Sequence, residues 1–227
     1  MINSLLNLFF PKACLGCNQF LSENELVICT RCRHDIPLTN HHLHQENEAM
    51  QKFYGRLPLE HASALMYFHK KGIVQELIHN LKYRGHQEVG TLIGDWYGND
   101  LKNSEKLKNI DIIIPIPLHK KRLLKRGYNQ VTTFGTALSN QLQCSFDETI
   151  LKRVQYSKTQ TFKNLINRNE IKAHTFQAHY TEAHHHKHFL LIDDVMTTGA
   201  TLEAAGKTLL EIPGTRLSIL TMAFAHS

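Results

Sequence analysis

The segment FLLIDDVMTTGATLEAA, residues 189 to 205, carries the pattern that decides the fold. Its apolar start predicts a buried strand, and Asp193 and Asp194 come at the carboxyl end of that strand, where ligands of open α/β sheets bind. The loop that follows offers hydroxyl groups, and Gly199 allows the backbone to approach a ligand closely. The next helix would point its free N–H groups at a phosphate. A phosphorylated ribose, with its hydroxyls and Mg²⁺ beside the carboxylates, satisfies both halves of the pattern.

Each half of this pattern also has an ordinary explanation. An acidic pair after an apolar strand occurs in phosphoacceptor receiver domains, and a Thr before a helix is commonly an N-cap. The combination is more specific, because the strand, Asp-Asp and Thr-Thr-Gly-x-Thr follow one another without interruption in residues 189 to 201. We therefore expect a site for a phosphorylated ribose here.

Strand and helix patterns alternate along the rest of the chain. Apolar runs predict strands at residues 62–68, 111–117, 188–195 and 216–225. Helical spacing of apolar residues predicts helices at residues 72–83, 88–101, 128–142 and 201–210. This alternation predicts an α/β fold in which helices cover both faces of a parallel sheet.

Composition and charge limit the class of protein. The 227 residues are 42% hydrophobic and 20% charged, which excludes a disordered or fibrous chain. The formal net charge of +6 favours an anionic partner, either a phosphorylated small molecule or a nucleic acid. We expect a cytoplasmic protein without membrane insertion, because the N-terminus lacks the features of a secretory signal and no run approaches about 20 apolar residues.

A dense basic segment follows the strand predicted at 111–117. Lys120, Lys121, Arg122, Lys125 and Arg126 lie within seven residues. A solvated helix face is the ordinary explanation for such a run. Its position after a strand end, at the same edge of the sheet as the acidic pair, instead indicates a place for a diphosphate group.

Four of the five cysteines form two Cys-x-x-Cys pairs near the N-terminus. Cys14 and Cys17 are followed, after eleven residues, by Cys29 and Cys32. Four thiolates in two such pairs predict a structural Zn²⁺ site, although His34 could replace one cysteine. A redox Cys-x-x-Cys is the alternative. We expect a small zinc-ribbon-like head at residues 1–36, a linker at 37–50 and one larger domain at 51–227.

Five stretches resemble the ComF family of competence-related proteins. They are FFPKACLGC at 9–17, KYRG at 82–85, PIPLHKKRLLKRGYNQ at 115–130, KTQTFKN at 158–164 and IDDVMTTGATL at 192–202. Members of that family join a zinc-ribbon-like head to a type I phosphoribosyltransferase domain. The resemblance implies this fold, with Zn²⁺ as a structural metal and Mg²⁺ as a cofactor.

The resemblance also implies roles for individual residues. Asp193 and Asp194 would be the catalytic pair on the ribose hydroxyls. A cover over the site is implied at residues 153–168, and a hood that selects the acceptor at about 50–90. The loop that binds phosphoribosyl pyrophosphate would comprise Val195, Met196, Thr197, Thr198, Gly199, Ala200 and Thr201, and the pyrophosphate side would comprise Arg122, Arg126, Tyr128 and Asn129.

Two functions remain open at this point. In the first, the protein is a phosphoribosyltransferase, an enzyme of the glycosyltransferase class, linked to natural competence. In the second, it is a non-catalytic protein of the DNA-uptake machinery that binds a nucleotide or single-stranded DNA and contacts other DNA-uptake proteins. The sequence does not indicate the acceptor or the oligomeric state.

Overall fold

The computed structural model describes residues 12–154 and 175–226. Within those two ranges, no helix has the length and apolar character that crossing a bilayer requires. Most of the expected cover, residues 155–168, lies outside the described residues.

A five-stranded parallel sheet forms the centre of the protein. In spatial order its strands are β1 (His61–Tyr67), β7 (Arg216–Phe224), β6 (His188–Met196), β2 (Ile112–Pro115) and β3 (Ser145–Phe146). All four neighbouring pairs are parallel. β6 and β7 are buried over nearly their whole length, which explains why most of their residues are apolar. The predicted parallel α/β sheet is confirmed.

Helices cover both faces of this sheet. On one face, Leu77 and Phe134 pack with Leu190 in a single apolar cluster. On the other face, Phe176 and Ala205 pack with Leu191. The first face carries α3 (Ile73–Tyr83), α4 (Glu88–Leu101) and α6 (Thr132–Leu142), and the second carries α2 (Glu48–Gln51), α7 (Ala200–Leu210) and the antiparallel pair β4 (Leu151–Arg153) and β5 (Phe176–Ala178). Residues 12–154 and 175–226 also contain α1 (Thr30–Asp35), α5 (Lys120–Arg126) and short 3₁₀ turns at His41–Leu43 and Glu182–His184.

Two element boundaries differ from the sequence predictions by more than one residue. β2 stops at Pro115, and Pro117 has no N–H group with which to continue the ladder. α6 begins at Thr132 rather than at residue 128, since residues 127–131 form the turns that connect it to α5. Both differences leave irregular backbone at the edge of the sheet where the acidic pair lies.

The segments around β1 are also more integrated than expected. Residues 37–50, predicted as a linker, form short helices and pack on β1, where the Thr39 N–H donates to the Leu65 carbonyl at 2.9 Å. The hood expected at about residues 50–90 includes β1, which is an edge strand of the main sheet, and α3, which is part of the core. That stretch therefore does not form a separate hood.

Three glycines allow α4 and α6 to pack closely. Gly90, Gly94 and Gly98 recur every four residues and so share one helix face. A Cβ atom on Gly94 would lie 2.6 Å from the backbone oxygen of Phe134. This close approach places the first turn of α6 against α4, directly after the turn that carries Gln130.

We expect Gly94→Ala to lower the free energy of unfolding by about 1–3 kcal/mol, because the added methyl group meets backbone that cannot rotate away. Thr91→Ala, on the exposed face of the same helix, is the matched control and should change that free energy by less than about 0.5 kcal/mol. Urea denaturation measures both. A stabilised Gly94→Ala protein would show that α4 can move away from α6.

Candidate functional site

The candidate site lies where β2 and β6 diverge. Their pairing ends at Pro115 opposite Ile192, and the last backbone bond there runs from the Ile116 N–H to the Ile192 carbonyl at 2.9 Å. β6 continues to Met196, and within the described part of the chain it pairs there with β7 alone. The chain leaves β2 towards β3 but leaves β6 towards β7, so the two connections separate at this point. A crevice at such a switch point is where open α/β sheets bind ligands.

The two acidic residues leave opposite faces of β6, as successive strand residues do. Asp194 is buried on the α3 side, where Lys82 Nζ donates to its Oδ1 at 2.6 Å and Gln130 Nε2 donates to its Oδ2 at 2.5 Å. Asp193 is partly exposed and interacts electrostatically with Arg153 of β4. The acids therefore have different surroundings, although they are adjacent in sequence.

These surroundings affect the protonation of Asp193. Asp193 keeps some exposed surface, but protein surrounds its carboxyl group; the resulting loss of hydration, and secondly the charge of Asp194, raise the pKa of Asp193 to about 8. The backbone N–H of Asp194 donates to Asp193 Oδ1 at 2.8 Å and opposes this rise, as do the charges of Lys82 and Arg153. A ligand that donates hydrogen bonds to this carboxylate would favour its ionised form.

The loop after β6 has the geometry of an anion cradle. Gly199 has φ +75°, a left-handed conformation that strains any residue with a side chain, and a Cβ atom there would make a tight 3.1 Å contact with the Phe53 ring. Residues 197, 198, 200 and 201 are exposed, and the N-terminus of α7 begins at Ala200. Arg56, which the sequence did not single out, supports the loop from behind by donating to the Thr198 carbonyl at 3.2 Å and pairing with Glu203.

A cleft of about 390 Å³ lined by cations opens next to the acidic pair. α5 has no buried residue, so the basic run does form an exposed helix. One side of that helix nevertheless faces the cleft, and Lys82 contributes to the same cleft from α3. The lining residues are Lys82, Tyr83, Gly85, Arg122, Lys125, Arg126 and Tyr128.

Tyr128 and Asn129 make bonds that organise backbone. The Tyr128 hydroxyl donates to the Leu81 carbonyl of α3. Asn129 Nδ2 donates to the Ile116 carbonyl at 3.0 Å, and Asn129 lines a neighbouring cleft with Pro115 and Pro117 rather than the cation-lined one. The structure thus brings Arg122, Arg126 and Tyr128 together but leaves Asn129 to one side.

Three further residues join this arrangement. Lys82 and Gln130 hold Asp194, and Arg153 interacts electrostatically with both Asp193 and Arg122. Lys82 and Gln130 lie inside the quoted stretches KYRG and PIPLHKKRLLKRGYNQ, so the sequence contained a signal for them. Nothing local marks them as partners of Asp194, because they are 112 and 64 residues away from it along the chain.

The four N-terminal cysteines converge on one point. Their sulfur atoms all lie within 4.8 Å of one another, and the Sγ atoms of Cys17 and Cys29 are 3.7 Å apart. Tetrahedral Zn²⁺ with Zn–S bonds of about 2.3 Å places its sulfurs about 3.8 Å apart. None of the four forms a disulfide. The His34 side chain is 88% exposed and bonds Asp35, so it does not replace a cysteine. The cluster can hold a metal ion such as Zn²⁺.

Backbone donors also prepare this cluster for a metal. Burial opposes ionisation of Cys14, but the N–H groups of Cys29, Cys17 and Gly16 lower its pKa to about 7. Cys32 lacks this compensation, and burial raises its pKa. A bound cation would offset the cost of keeping four sulfurs together as thiolates.

The head packs directly on α3. Cys14, Cys29 and Cys32 belong to the same apolar cluster as the buried face of that helix. Asn80, itself buried, donates from Nδ2 to the Leu15 carbonyl between the first two cysteines at 2.7 Å. The cysteine cluster is therefore connected to the helix that presents Lys82 to Asp194.

Comparison with known proteins agrees with this architecture. Residues 131–226 match the family model of the phosphoribosyl transferase domain. The chain is 31% identical to Competence protein F of Haemophilus influenzae over 56% of each chain. It is 26% identical to DNA utilization protein YhgH of Escherichia coli K12 over 59% of this chain and 60% of that protein. It is also 24% identical to Competence protein ComFC of Bacillus subtilis over 88% of this chain and 78% of that protein.

The chain is therefore similar to proteins of the ComF family. Its fold is the parallel α/β fold of type I phosphoribosyltransferases, with a four-cysteine cluster at the N-terminus. The matches to Competence protein F and YhgH span only 56% and 60% of those proteins.

Solved structures with a similar arrangement include an adenine phosphoribosyltransferase that is 15% identical, covering 66% of this chain and 84% of that one, with a TM-score of 0.38. Another is the adenine phosphoribosyltransferase of Leishmania tarentolae, which is 12% identical, covers 80% and 89% of the two chains and has the same TM-score. These scores are low, so the fold assignment rests on the strand order and the family model.

We expect Cys17→Ser to reduce the metal content, measured by elemental analysis, well below one ion per chain and to lower Tm. Cys144→Ser is the matched control, because Cys144 lies outside the cluster, and it should retain the metal. Chelation should lower Tm in a single transition, since the cysteines share a core with α3. Separate transitions for the head and the sheet would contradict this shared core.

Proposed function

We propose that this protein is a member of the ComF family and binds phosphoribosyl pyrophosphate, or a related phosphorylated ribose, together with Mg²⁺. The observation that carries the proposal is the junction of an acidic and a cationic region in one crevice. Lys82 lines the cation-lined cleft and also bonds Asp194, so the two regions are in direct contact. A ligand with a neutral diol next to a diphosphate matches that combination of charges.

The proposed ligand occupies three parts of the site. Its 5′-phosphate binds the loop of residues 197–201 at the N-terminus of α7. Its ribose hydroxyls donate to Asp193 and Asp194. Its diphosphate enters the cleft beside Arg122 and Arg126. Mg²⁺ bound to the diphosphate would reduce the charge repulsion between the ligand and the carboxylates.

Transferase chemistry would need no protein nucleophile at this site. As the bond to the diphosphate breaks, positive charge develops on the ribose and negative charge on the departing pyrophosphate. In this pose the carboxylates lie beside the positive charge on the ribose, and the cations of the cleft lie beside the negative charge on the pyrophosphate. The site would therefore act by positioning and by electrostatic stabilisation. The acceptor remains unassigned.

The names of the relatives support a role in DNA uptake. Competence protein F and DNA utilization protein YhgH match this chain over more than half of its length. We propose that the protein acts in DNA uptake or in the use of incoming DNA, in contact with other proteins of that process. We place it in the cytoplasm, because five free cysteines fit a reducing compartment.

The same proposal covers the head and the division of the chain. We propose Zn²⁺ as the structural metal of the four cysteines, because four sulfurs close the tetrahedron and leave no position for water. Residues 1–36 then form the zinc-ribbon-like head, 37–50 the connection and 51–227 the phosphoribosyltransferase-like domain.

A second candidate function is non-catalytic binding of a nucleotide or of single-stranded DNA. It is favoured by Tyr83, which lines the cleft, is 68% exposed and has the Arg126 guanidinium 5.5 Å from its ring centroid. An exposed ring beside cations is the kind of surface on which bases stack. Pyrophosphate release from phosphoribosyl pyrophosphate and Mg²⁺ in the presence of candidate bases distinguishes the two functions, since only the transferase releases it.

We expect the affinity for phosphoribosyl pyrophosphate to increase from pH 7 to pH 9. The raised pKa of Asp193, about 8, leaves this carboxyl largely protonated at pH 7, whereas the ribose hydroxyls favour the ionised form, so binding strengthens as the proton leaves. Asp193→Asn should remove this pH dependence and lower the affinity at pH 9 by about tenfold. Calorimetric titration with Mg²⁺ present measures both.

Asp95→Asn is the control, because Asp95 is an exposed acid on α4. It should keep both the affinity and its pH dependence. If Asp193→Asn behaves in the same way as this control, the ribose hydroxyls do not bind Asp193.

A further inference from the structure

One buried amide connects the acidic and the cationic parts of the site. Gln130 is 5% exposed and lies in the turn between α5 and α6. Its Nε2 donates to Asp194 Oδ2 at 2.5 Å, and its Oε1 accepts a hydrogen bond from Arg126 Nη1. The amide nitrogen therefore bonds the acidic part of the site, and the amide oxygen bonds the cationic part.

We propose that Gln130 is a positioning residue that fixes the separation of Asp194 and Arg126, so that the site selects ligands with a sugar diol and a diphosphate on one molecule. This inference rests on the proposed function and specifies the substrate class of the same site. The positioning role of Gln130 follows from its hydrogen bonds, because it bonds both side chains that would contact the two parts of such a ligand.

The chemistry of the side chain explains why an amide stands here. Asp194 needs a donor and Arg126 needs an acceptor, and an amide supplies both without a charge. A carboxylate at this position would repel Asp194, and a cation would repel Arg126. Because the amide is buried, water does not compete for either bond, and the two charged side chains are held before a ligand arrives.

Ligands that carry only one of the two groups should depend less on Gln130. Ribose 5-phosphate would still meet an Asp194 that Lys82 holds at 2.6 Å. Inorganic pyrophosphate would still meet three other cations in the cleft. Only a ligand that spans both parts requires their separation to be fixed.

The test uses Gln130→Met in the full chain, which keeps an unbranched side chain of similar length and removes both hydrogen bonds. Calorimetry with Mg²⁺ measures the affinities for phosphoribosyl pyrophosphate, ribose 5-phosphate and pyrophosphate. We expect the first affinity to fall about 10- to 100-fold, as for loss of a hydrogen bond to a charged group, and the other two to change by less than about threefold.

Gln141→Met is the matched control, because Gln141 also donates to an aspartate, Asp95, at 3.1 Å, but on the exposed side of α4 and α6. It should leave all three affinities unchanged. Gln130→Glu is the second variant and carries the test if Gln130→Met unfolds. It keeps an acceptor for Arg126, replaces the donor to Asp194 by a repelling carboxylate, and should lose the same selectivity.

Two results would overturn the inference alone: phosphoribosyl pyrophosphate binds the Gln130 variants as tightly as the unsubstituted protein, or all three ligands lose affinity by one common factor. If the unsubstituted protein binds none of the three ligands, the proposed function fails and the inference fails with it. The outcomes for the function and for the inference are therefore distinguishable.

Discussion

The arrangement of the site depends on the burial of one carboxylate. Asp194 is 6% exposed, and a carboxylate removed from water to this extent is tolerated only with partners that replace the lost hydration. Lys82 and Gln130 supply them from two different parts of the chain. The contacts of Asp194 with these two side chains hold α3 and the turn before α6 at the end of β6. Together these segments form one wall of the crevice. Removal of Lys82 would leave the buried charge unpaired, which typically costs about 3–5 kcal/mol.

The same helix gives the cysteine head a part in the domain core. Lys82 is in the last two turns of α3, and Asn80, two residues earlier, holds the backbone of the first Cys-x-x-Cys pair. Leu77 and Leu81 pack in one cluster with the cysteines. Because interiors are packed as tightly as organic crystals, a change in the order of the head reaches α3 through direct contacts. The head thus contributes to the support of the ligand crevice.

The site combines a rigid part with an exposed part. The two acids are on a buried strand. Gln130 is on the turn before α6, the helix that packs closely on α4. Arg122 and Lys125 are on α5, which has no buried residue. A buried wall next to exposed cations matches the two parts of the proposed ligand, a sugar and a diphosphate. Arg153, at the end of β4, stands at the boundary between them.

The sequence alone predicts the main strands and helices and the chemical character of the side chains at the site. The strand and helix at residues 188–210, the parallel sheet and the two Cys-x-x-Cys pairs follow from local patterns, namely apolar runs, periodicity and ligand spacing. The short β3 and the β4–β5 pair escaped prediction because two or three residues carry no period. The sequence does not reveal the packing of residues 37–50, because their burial depends on contacts with β1 rather than on their own pattern.

The different surroundings of the two adjacent acids are visible only in the tertiary structure. Adjacent letters in the sequence do not reveal that Asp193 and Asp194 leave opposite faces, that Lys82 and Gln130 close on the second of them, or that Asn129 turns to a different cleft. Those relations depend on the path of the backbone between distant segments, and a local pattern holds no information about distance in space. A buried charge is stabilised by the groups that lie close to it in the folded protein, whatever their separation along the chain.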